Sequence, residues 1–228
     1  MAAAVVQGTG FYTVGISASN IVKVFASGVT VGNKIIVFAR CASGGLSITG
    51  VSDDLGNTYT ERLAYTGNRY KMYEAPVTTG GTCTVTVALE AATTSRAMTI
   101  TEASGLGAYD TGLIDGSNNA GSVAADGDAT PAITTAEAGE FIAATIYNTA
   151  GAWTSIAPGT GYSEVWKDAS AAAIESEYKV AGAAGSYTAT WTAGDTDTFA
   201  YMVAAFKAAL GGSPYPSYII INKNWALE

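Results

Sequence analysis

The side chains that could do chemistry in this 228-residue chain are mostly carboxylates, and they have no histidine to work with. That absence removes Ser-His-Asp and Cys-His nucleophilic catalysis and the usual zinc sites in one step. Glu61, Glu74, Glu164, Glu175 and Glu177 fall in strand-like runs, and a carboxylate pair is what glycoside hydrolysis uses. Glu61 answers Glu164, and Glu74 answers Glu177, in two similar stretches of chain. Such matched places suit outward-facing positions alternating with core ones, so no catalytic residue is assigned and no enzyme is expected. Asp110, Asp115, Asp126 and Asp128 lie in one Gly-rich connection and are the candidates for calcium, a hard cation that takes loop carboxylates and carbonyls. The D-x-D-x-D-G spacing of a calcium loop is missing, so solvated aspartates are the favoured reading and no cofactor is expected. Cys41 and Cys83 each sit in a strand-like run, as two buried free thiols or as one bridge between neighbouring strands. Neither GxxxxGK[ST] nor a strand-linked GxGxxG occurs.

Composition narrows the partners. Charged residues make up 13% of the chain, about half the usual share, while 48% are hydrophobic. A surface covered by Thr, Ser, Asn, Gly and small apolar groups is easily desolvated, which favours life in an assembly or as an extracellular module. Eleven basic residues against 19 acidic ones give a net charge of -8. The basic residues are scattered, which argues against nucleic acid, since phosphate neutralisation supplies most of that affinity. No apolar run approaches the roughly 18 residues of a membrane helix. The opening MAAAVVQGTGFYTVG has neither the basic region nor the cleavage site of a signal peptide. Among the aromatics, Tyr65, Tyr70, Trp153 and Trp166 are the candidates for stacking on sugar rings, with core or protein-interface anchoring the favoured role.

The elements that must position these residues are strands. Period-two patterning occupies both arms of Arg69–Leu89 around Gly80-Gly81, and again both arms of Ile174–Thr192 around Gly185, so two hairpins are expected. Ile35–Ala39 is apolar on both faces, as a centrally placed strand covered on both sides would be. Arg96–Ala103 puts Ala97, Thr99 and Thr101 on one face and Met98 and Ile100 on the other. Phe199–Ala209 answers it and is expected as a strand despite its helix-prone alanines. Residues 105–131, rich in Gly, Asp and Asn, are expected to be a long crossover loop between two halves, 30–105 and 137–209. The halves repeat the same order of elements, which suggests an internal duplication packed as the two halves of one sandwich. The expected fold is therefore all-β, an antiparallel β-sandwich over residues 1–210, followed by an extended C-terminal arm, 211–228. In that arm Gly211-Gly212-Ser213-Pro214-Tyr215-Pro216 breaks the register, and a β-prone stretch from Ser217 to Trp225 follows. Such an arm folds back as an edge strand or adds to a neighbour's sheet. Partner contacts are accordingly expected at Phe11, Tyr215, Tyr218, Ile219, Ile220, Ile221 and Trp225.

Val51-Ser52-Asp53-Asp54-Leu55-Gly56-Asn57-Thr58-Tyr59, the Gly80-Gly81 turn, the Thr/Val strand after it and Glu102-Ala103-Ser104-Gly105-Leu106 together resemble a family of jelly-roll-like β-sandwich domains. Such domains occur in virion proteins of tailed bacteriophages and in bacterial surface or secreted proteins. The resemblance spans roughly residues 30–209 and rests on turn chemistry, so it speaks to fold more than to function. It implies a jelly-roll type of sandwich and no catalytic residues. With the low charge and the apolar arm, it implies a virion-surface setting: a capsid decoration (cement) protein stabilising a capsid or tail lattice as a homo-oligomer, a trimer being favoured. The alternative it leaves open is a carbohydrate-binding or adhesive module at a bacterial cell surface or outside the cell.

Overall fold

A strand that is apolar on both faces needs cover on both sides, and that requirement sets the architecture. The computed structural model describes residues 2–41, 46–120, 128–149, 151–168, 173–194 and 198–209, with backbone only for 116–120 and 128; the arm lies outside the described residues. Its described residues form strands and no helix. The first eight are β1 (Ala4–Thr13), β2 (Ala18–Val24), β3 (Lys34–Cys41), β4 (Ile48–Asp53), β5 (Thr60–Ala64), β6 (Tyr70–Pro76), β7 (Thr84–Thr93) and β8 (Arg96–Ser104). The rest are β9 (Leu106–Ala120), β10 (Asp128–Ala129), β11 (Ile133–Thr135), β12 (Phe141–Asn148), β13 (Ile156–Pro158), β14 (Ser163–Lys167), β15 (Ile174–Val180), β16 (Gly185–Tyr187), β17 (Thr190–Ala193) and β18 (Phe199–Ala208).

Two five-stranded sheets, ordered β1-β8-β3-β6-β5 and β14-β15-β12-β18-β9, lie at the centre. Smaller sheets, β2-β7-β4 on one side and β10-β17-β13 with the pair β11-β16 on the other, cover their outer faces. Every ladder is antiparallel. Three cores separate these four layers. Ile35, Val37, Met98 and Ile100 meet Ile21, Val85 and Val87 in the first outer core. Ile142, Ile146 and Val203 meet Trp191 and Ile156 in the second. Between the large sheets, Ile36, Phe38 and Met72 pack on Phe141, Tyr147, Met202 and Phe206. Each half is thus a sandwich in itself, and the two stand back to back, where the sequence had suggested two halves of a single sandwich. The doubly apolar run Ile35–Ala39 is explained: Ile36 and Phe38 look inward, and Ile35, Val37 and Ala39 look outward. Fully burying each such large side chain contributes about 1.5–3 kcal/mol.

The two halves share one strand order. Replacing β1, β8, β3, β6 and β5 by β9, β18, β12, β15 and β14 converts one five-stranded sheet into the other, and β2-β7-β4 likewise maps onto β10-β17-β13. Local turns match as well. Gly32 and Gly139 hold φ of 92° and 80° before β3 and β12, where a Cβ would be strained. Their N–H groups donate to Val77 O at 3.0 Å and Ala181 O at 2.7 Å.

Two expectations change. The Gly80-Gly81 stretch does not close a hairpin, because β6 pairs with β3 and β5 while β7 pairs with β2 and β4 in the facing sheet. The same holds for β15 and the strands after Gly185. Alternation identifies a strand but not its neighbour; β6, buried on both faces, requires partners inside the large sheet. The supposed crossover loop is for most of its length the 15-residue strand β9. As an edge strand with one neighbour and a half-solvated surface, β9 tolerates the Gly, Asp and Asn residues that would weaken an internal strand. Phe199–Ala208 is a strand, as the sequence indicated.

Close approach of the central sheets depends on small residues. A Cβ on Gly8 would overlap Val165, and one on Gly10 would overlap the Trp166 ring, both on β14 of the opposite sheet. Ser176 of β15 donates its hydroxyl to Thr99 Oγ1 across the gap at 2.9 Å. Gly10→Val should therefore force the sheets apart and lower the unfolding free energy by about 2 kcal/mol or more in urea titrations. Gly50→Ala, where an added Cβ meets nothing within 4 Å, should change it by less than about 0.5 kcal/mol.

Candidate functional site

The glutamates divide into exposed and buried groups, and the division differs from the expected outward-facing pattern. Glu61 and Glu164 do occupy equivalent, exposed ladder positions, opposite Tyr73 and Glu177. Lys71 holds Glu61 at 2.8 Å and Lys167 holds Glu164 at 2.8 Å. Glu74 is not the counterpart of Glu177: Glu74 pairs with Thr60, whereas Tyr178 takes the corresponding place opposite Ser163. Glu74, Glu175 and Glu177 are all buried. Glu74 is held by Lys34 and by Arg62, whose Nη2 is 2.6 Å away, and so has two cations to offset its desolvation.

Glu175 and Glu177 stand two residues apart on β15, facing the second outer core at 0% and 1% exposure. The Trp191 indole N–H donates to Glu175 Oε2, and the Gly159 N–H donates to Glu177 Oε2 at 3.0 Å. Among the described residues Glu175 Oε1, Glu177 Oε1 and the Tyr162 hydroxyl have no hydrogen-bond partner within normal geometry. Burial, reinforced by the neighbouring Glu177, pushes the Glu175 carboxyl up to about 9; the Trp191 N–H works against the shift. Burial likewise pushes Glu177 up to about 8, opposed by the Gly159 N–H. Neither carboxyl is reached by solvent, so no glycosidic bond can enter between them in this arrangement.

The remaining candidates are dispersed. Asp110 lies on β9 within 3.8 Å of Lys207 Nζ, and Asp115 faces Tyr201 across the ladder. Asp126 lies outside the described residues, as does the side chain of Asp128. Among the described residues no group of three or more metal-ligating side chains forms. Cys41 and Cys83 are free and buried, and burial pushes the Cys83 thiol up to about 12. Of the four candidate sugar-stacking rings, Tyr70 and Trp153 are buried, while Tyr65 and Trp166 are half-buried against the central core. A cleft of about 400 Å³ beside Glu137 and Lys207, lined also by Gly107 and Ala208, has no aromatic ring among the described residues that line it.

What the described surface does offer is an apolar border. Six of the seven exposed large hydrophobic side chains, Val6, Val14, Ile16, Val22, Val24 and Val31, belong to the first 31 residues. Val6 lies on β1, Val14 and Ile16 in the connection to β2, Val22 and Val24 on β2, and Val31 before β3; β1 and β2 are the facing edge strands of the first sandwich. The Gln7 side chain ties the two together: Ser27 N donates to its Oε1 at 3.0 Å, and its Nε2 donates to Ser27 O at 3.1 Å and to Glu102 at 2.7 Å. Val22 and Val24 sit opposite Thr86 and Thr84 of β7, with Ser52 beyond Thr86, on the outer face of that sheet. Phe11, the one expected contact residue that is described, lies on β1 but is half-buried under the Arg96 guanidinium, 5.5 Å from its ring. Tyr215, Tyr218, Ile219, Ile220, Ile221 and Trp225 lie outside the described residues. The exposed valines were missed because a run such as Ile21-Val22 reads as ordinary strand; the signal was apolar character on both faces of a strand that has cover on one. Compared with family models, curated proteins and solved structures, the chain finds no match.

The buried acids generate a pH dependence. Both groups titrate near 4.5 when exposed, and folding raises them to about 9 and about 8. Between those values the folded chain holds protons that the unfolded chain has released, so stability falls as pH rises across the window. Thermal unfolding should show the highest midpoint near pH 5 and a steady loss towards pH 9. Glu175→Gln with Glu177→Gln should flatten that slope and raise the midpoint at pH 9.

Proposed function

We propose that this protein is a non-enzymatic structural protein of a virion surface, a capsid decoration or cement protein that stabilises a capsid or tail lattice through protein contacts as a homo-oligomer, a trimer by preference. The observation that carries this reading is the concentration of exposed aliphatic side chains on the β1–β2 border. Contiguous exposed apolar groups at an edge are unfavourable in water unless a partner covers them. Low charge supports the same reading, because a Thr/Val/Ser face loses little hydration when another protein packs on it. The resemblance of the turn residues to virion jelly-roll domains supplies the setting. The strand order β1-β8-β3-β6 facing β2-β7-β4 supports a jelly-roll type for each half, and the matching orders support an internal duplication. Against a sugar-binding role, two of the four candidate rings are buried and the other two are half-buried against the central core.

Sedimentation of the full chain tests this reading. A defined oligomer, of trimer mass, is expected. Val6→Lys, Val22→Lys and Val24→Lys together should convert it to monomer with little change in thermal midpoint, because all three side chains are already exposed. A wild-type chain that is monomeric at every concentration measured would refute the proposal.

A further inference from the structure

We infer that the open edge of β1 receives residues 217–225 from a neighbouring copy of this chain, added as an antiparallel strand. The inference rests on the homo-oligomer proposed above and names the acceptor within it.

The first ground is edge chemistry. Four strands border the two central sheets: β1, β5, β9 and β14. Exposed strand edges are templates for unwanted pairing, and charged side chains on them discourage it. β5 carries Glu61 and Arg62, β9 carries Asp110 and Asp115, and β14 carries Glu164 and Lys167. β1, AVVQGTGFYT, carries no charge at all, and among the described residues it pairs only with β8. It is the one long central edge left without that protection; exposed Val6 lies on it, and exposed Val14 and Ile16 directly follow it.

The second ground is where the described chain stops. Ala209 donates its N–H to Gly105 O at 2.8 Å, and Gly105 sits against the backbone of Ala2 and Ala3, just before β1 begins. The described chain therefore ends beside the start of the edge on which no described strand sits. In sequence the residues that follow are a breaker, then Ser217-Tyr218-Ile219-Ile220-Ile221-Asn222-Lys223-Asn224-Trp225. Nine extended residues span about 30 Å, against about 33 Å for the ten residues of β1.

Direction decides between the same copy and a neighbour. A segment leaving from the start of β1 and running along that strand is parallel to it. To run antiparallel on its own copy it would first have to travel the whole strand, about 33 Å, whereas residues 210–216 reach only about 25 Å. Every ladder described in this fold is antiparallel, and parallel pairing is slightly less stable per residue. A neighbour's segment meets no such limit and can enter antiparallel, with main-chain hydrogen bonds supplying affinity.

Disulfide trapping between two differently tagged full-length chains tests this. One chain carries Val6→Cys; the other carries, in turn, Asn222→Cys, Lys223→Cys, Asn224→Cys or Trp225→Cys, the positions an antiparallel strand matched to β1 brings opposite Val6. Cys41 and Cys83 are buried and leave the background low. After mixing, dissociation and reassembly, oxidation should give a cross-linked heterodimer for at least one pairing, with a clear preference over Val180→Cys as acceptor. Cross-linking only when both cysteines lie in one chain would overturn the inference. An oligomer by sedimentation that cross-links in no pairing would overturn it too, while leaving the proposed function standing. A chain that is monomeric throughout would sink both.

Discussion

Two five-stranded sheets with no solvent between them dictate most of what this chain does. Once their inner faces meet, β3, β6 and β8, with β12, β15 and β18, lose water on both sides, because the smaller sheets already occupy the outer faces. That is why Ile35–Ala39 alternates between two cores, and why alanines crowd β12 and β18. Where the sheets come closest, Gly8 and Gly10 replace side chains, and Ser176 and Thr99 satisfy one another. Cations at the central seam lie over aromatic faces: Lys34 is 5.6 Å from the Phe206 ring centroid and Arg62 is 5.3 Å from that of Tyr109. Lys34 and Arg62 also ion-pair with Glu74.

The equivalent halves have been treated differently at their borders. Matching turns before β3 and β12 are each fixed by a buried carboxylate, but from different positions. Glu102 of β8 accepts from Thr30 N at 2.8 Å, whereas Glu140, next to its own turn, accepts from Ala136 N and Glu137 N at 2.8 Å. The same geometric demand is met by different residues, as expected when packing rather than identity is held constant. At the free edges the difference has consequence. β9, the counterpart of β1, bears Asp110 and Asp115; β1 bears none and is flanked by exposed valines. A fold with two similar faces thereby acquires one edge that differs from the other in charge.

Strand identity was legible in the sequence wherever burial alternates. The faces of Arg96–Ala103 divide as their alternation indicated, with Ala97 in the central core and Met98 and Ile100 in the first outer one. Pairing was not legible, since Tyr70–Pro76 carries no local record of whether its neighbour is the next strand or one thirty residues earlier. The edge strand β9 was hidden by its own tolerance: with one ladder partner it keeps the Gly and Asp composition of a loop. Glu175 and Glu177 looked like solvent-facing alternates because a carboxylate is read as charged. Only the tertiary setting, with Trp191 and Gly159 donating and burial raising both groups, makes neutral acids of them. The border valines were invisible for a related reason, since an apolar residue in a strand is taken to be covered until the sheet order says otherwise.

Amide hydrogen exchange across β1 in the assembled full-length chain tests the central claim most directly. Half of its N–H groups point towards β8, and the other half point to the edge that no described strand occupies. If β1 is paired from outside, its outward amides will exchange as slowly as those of β8, and that protection will disappear when residues 213–228 are removed. Outward amides that exchange at the rate of an open edge in the full-length chain would contradict the account.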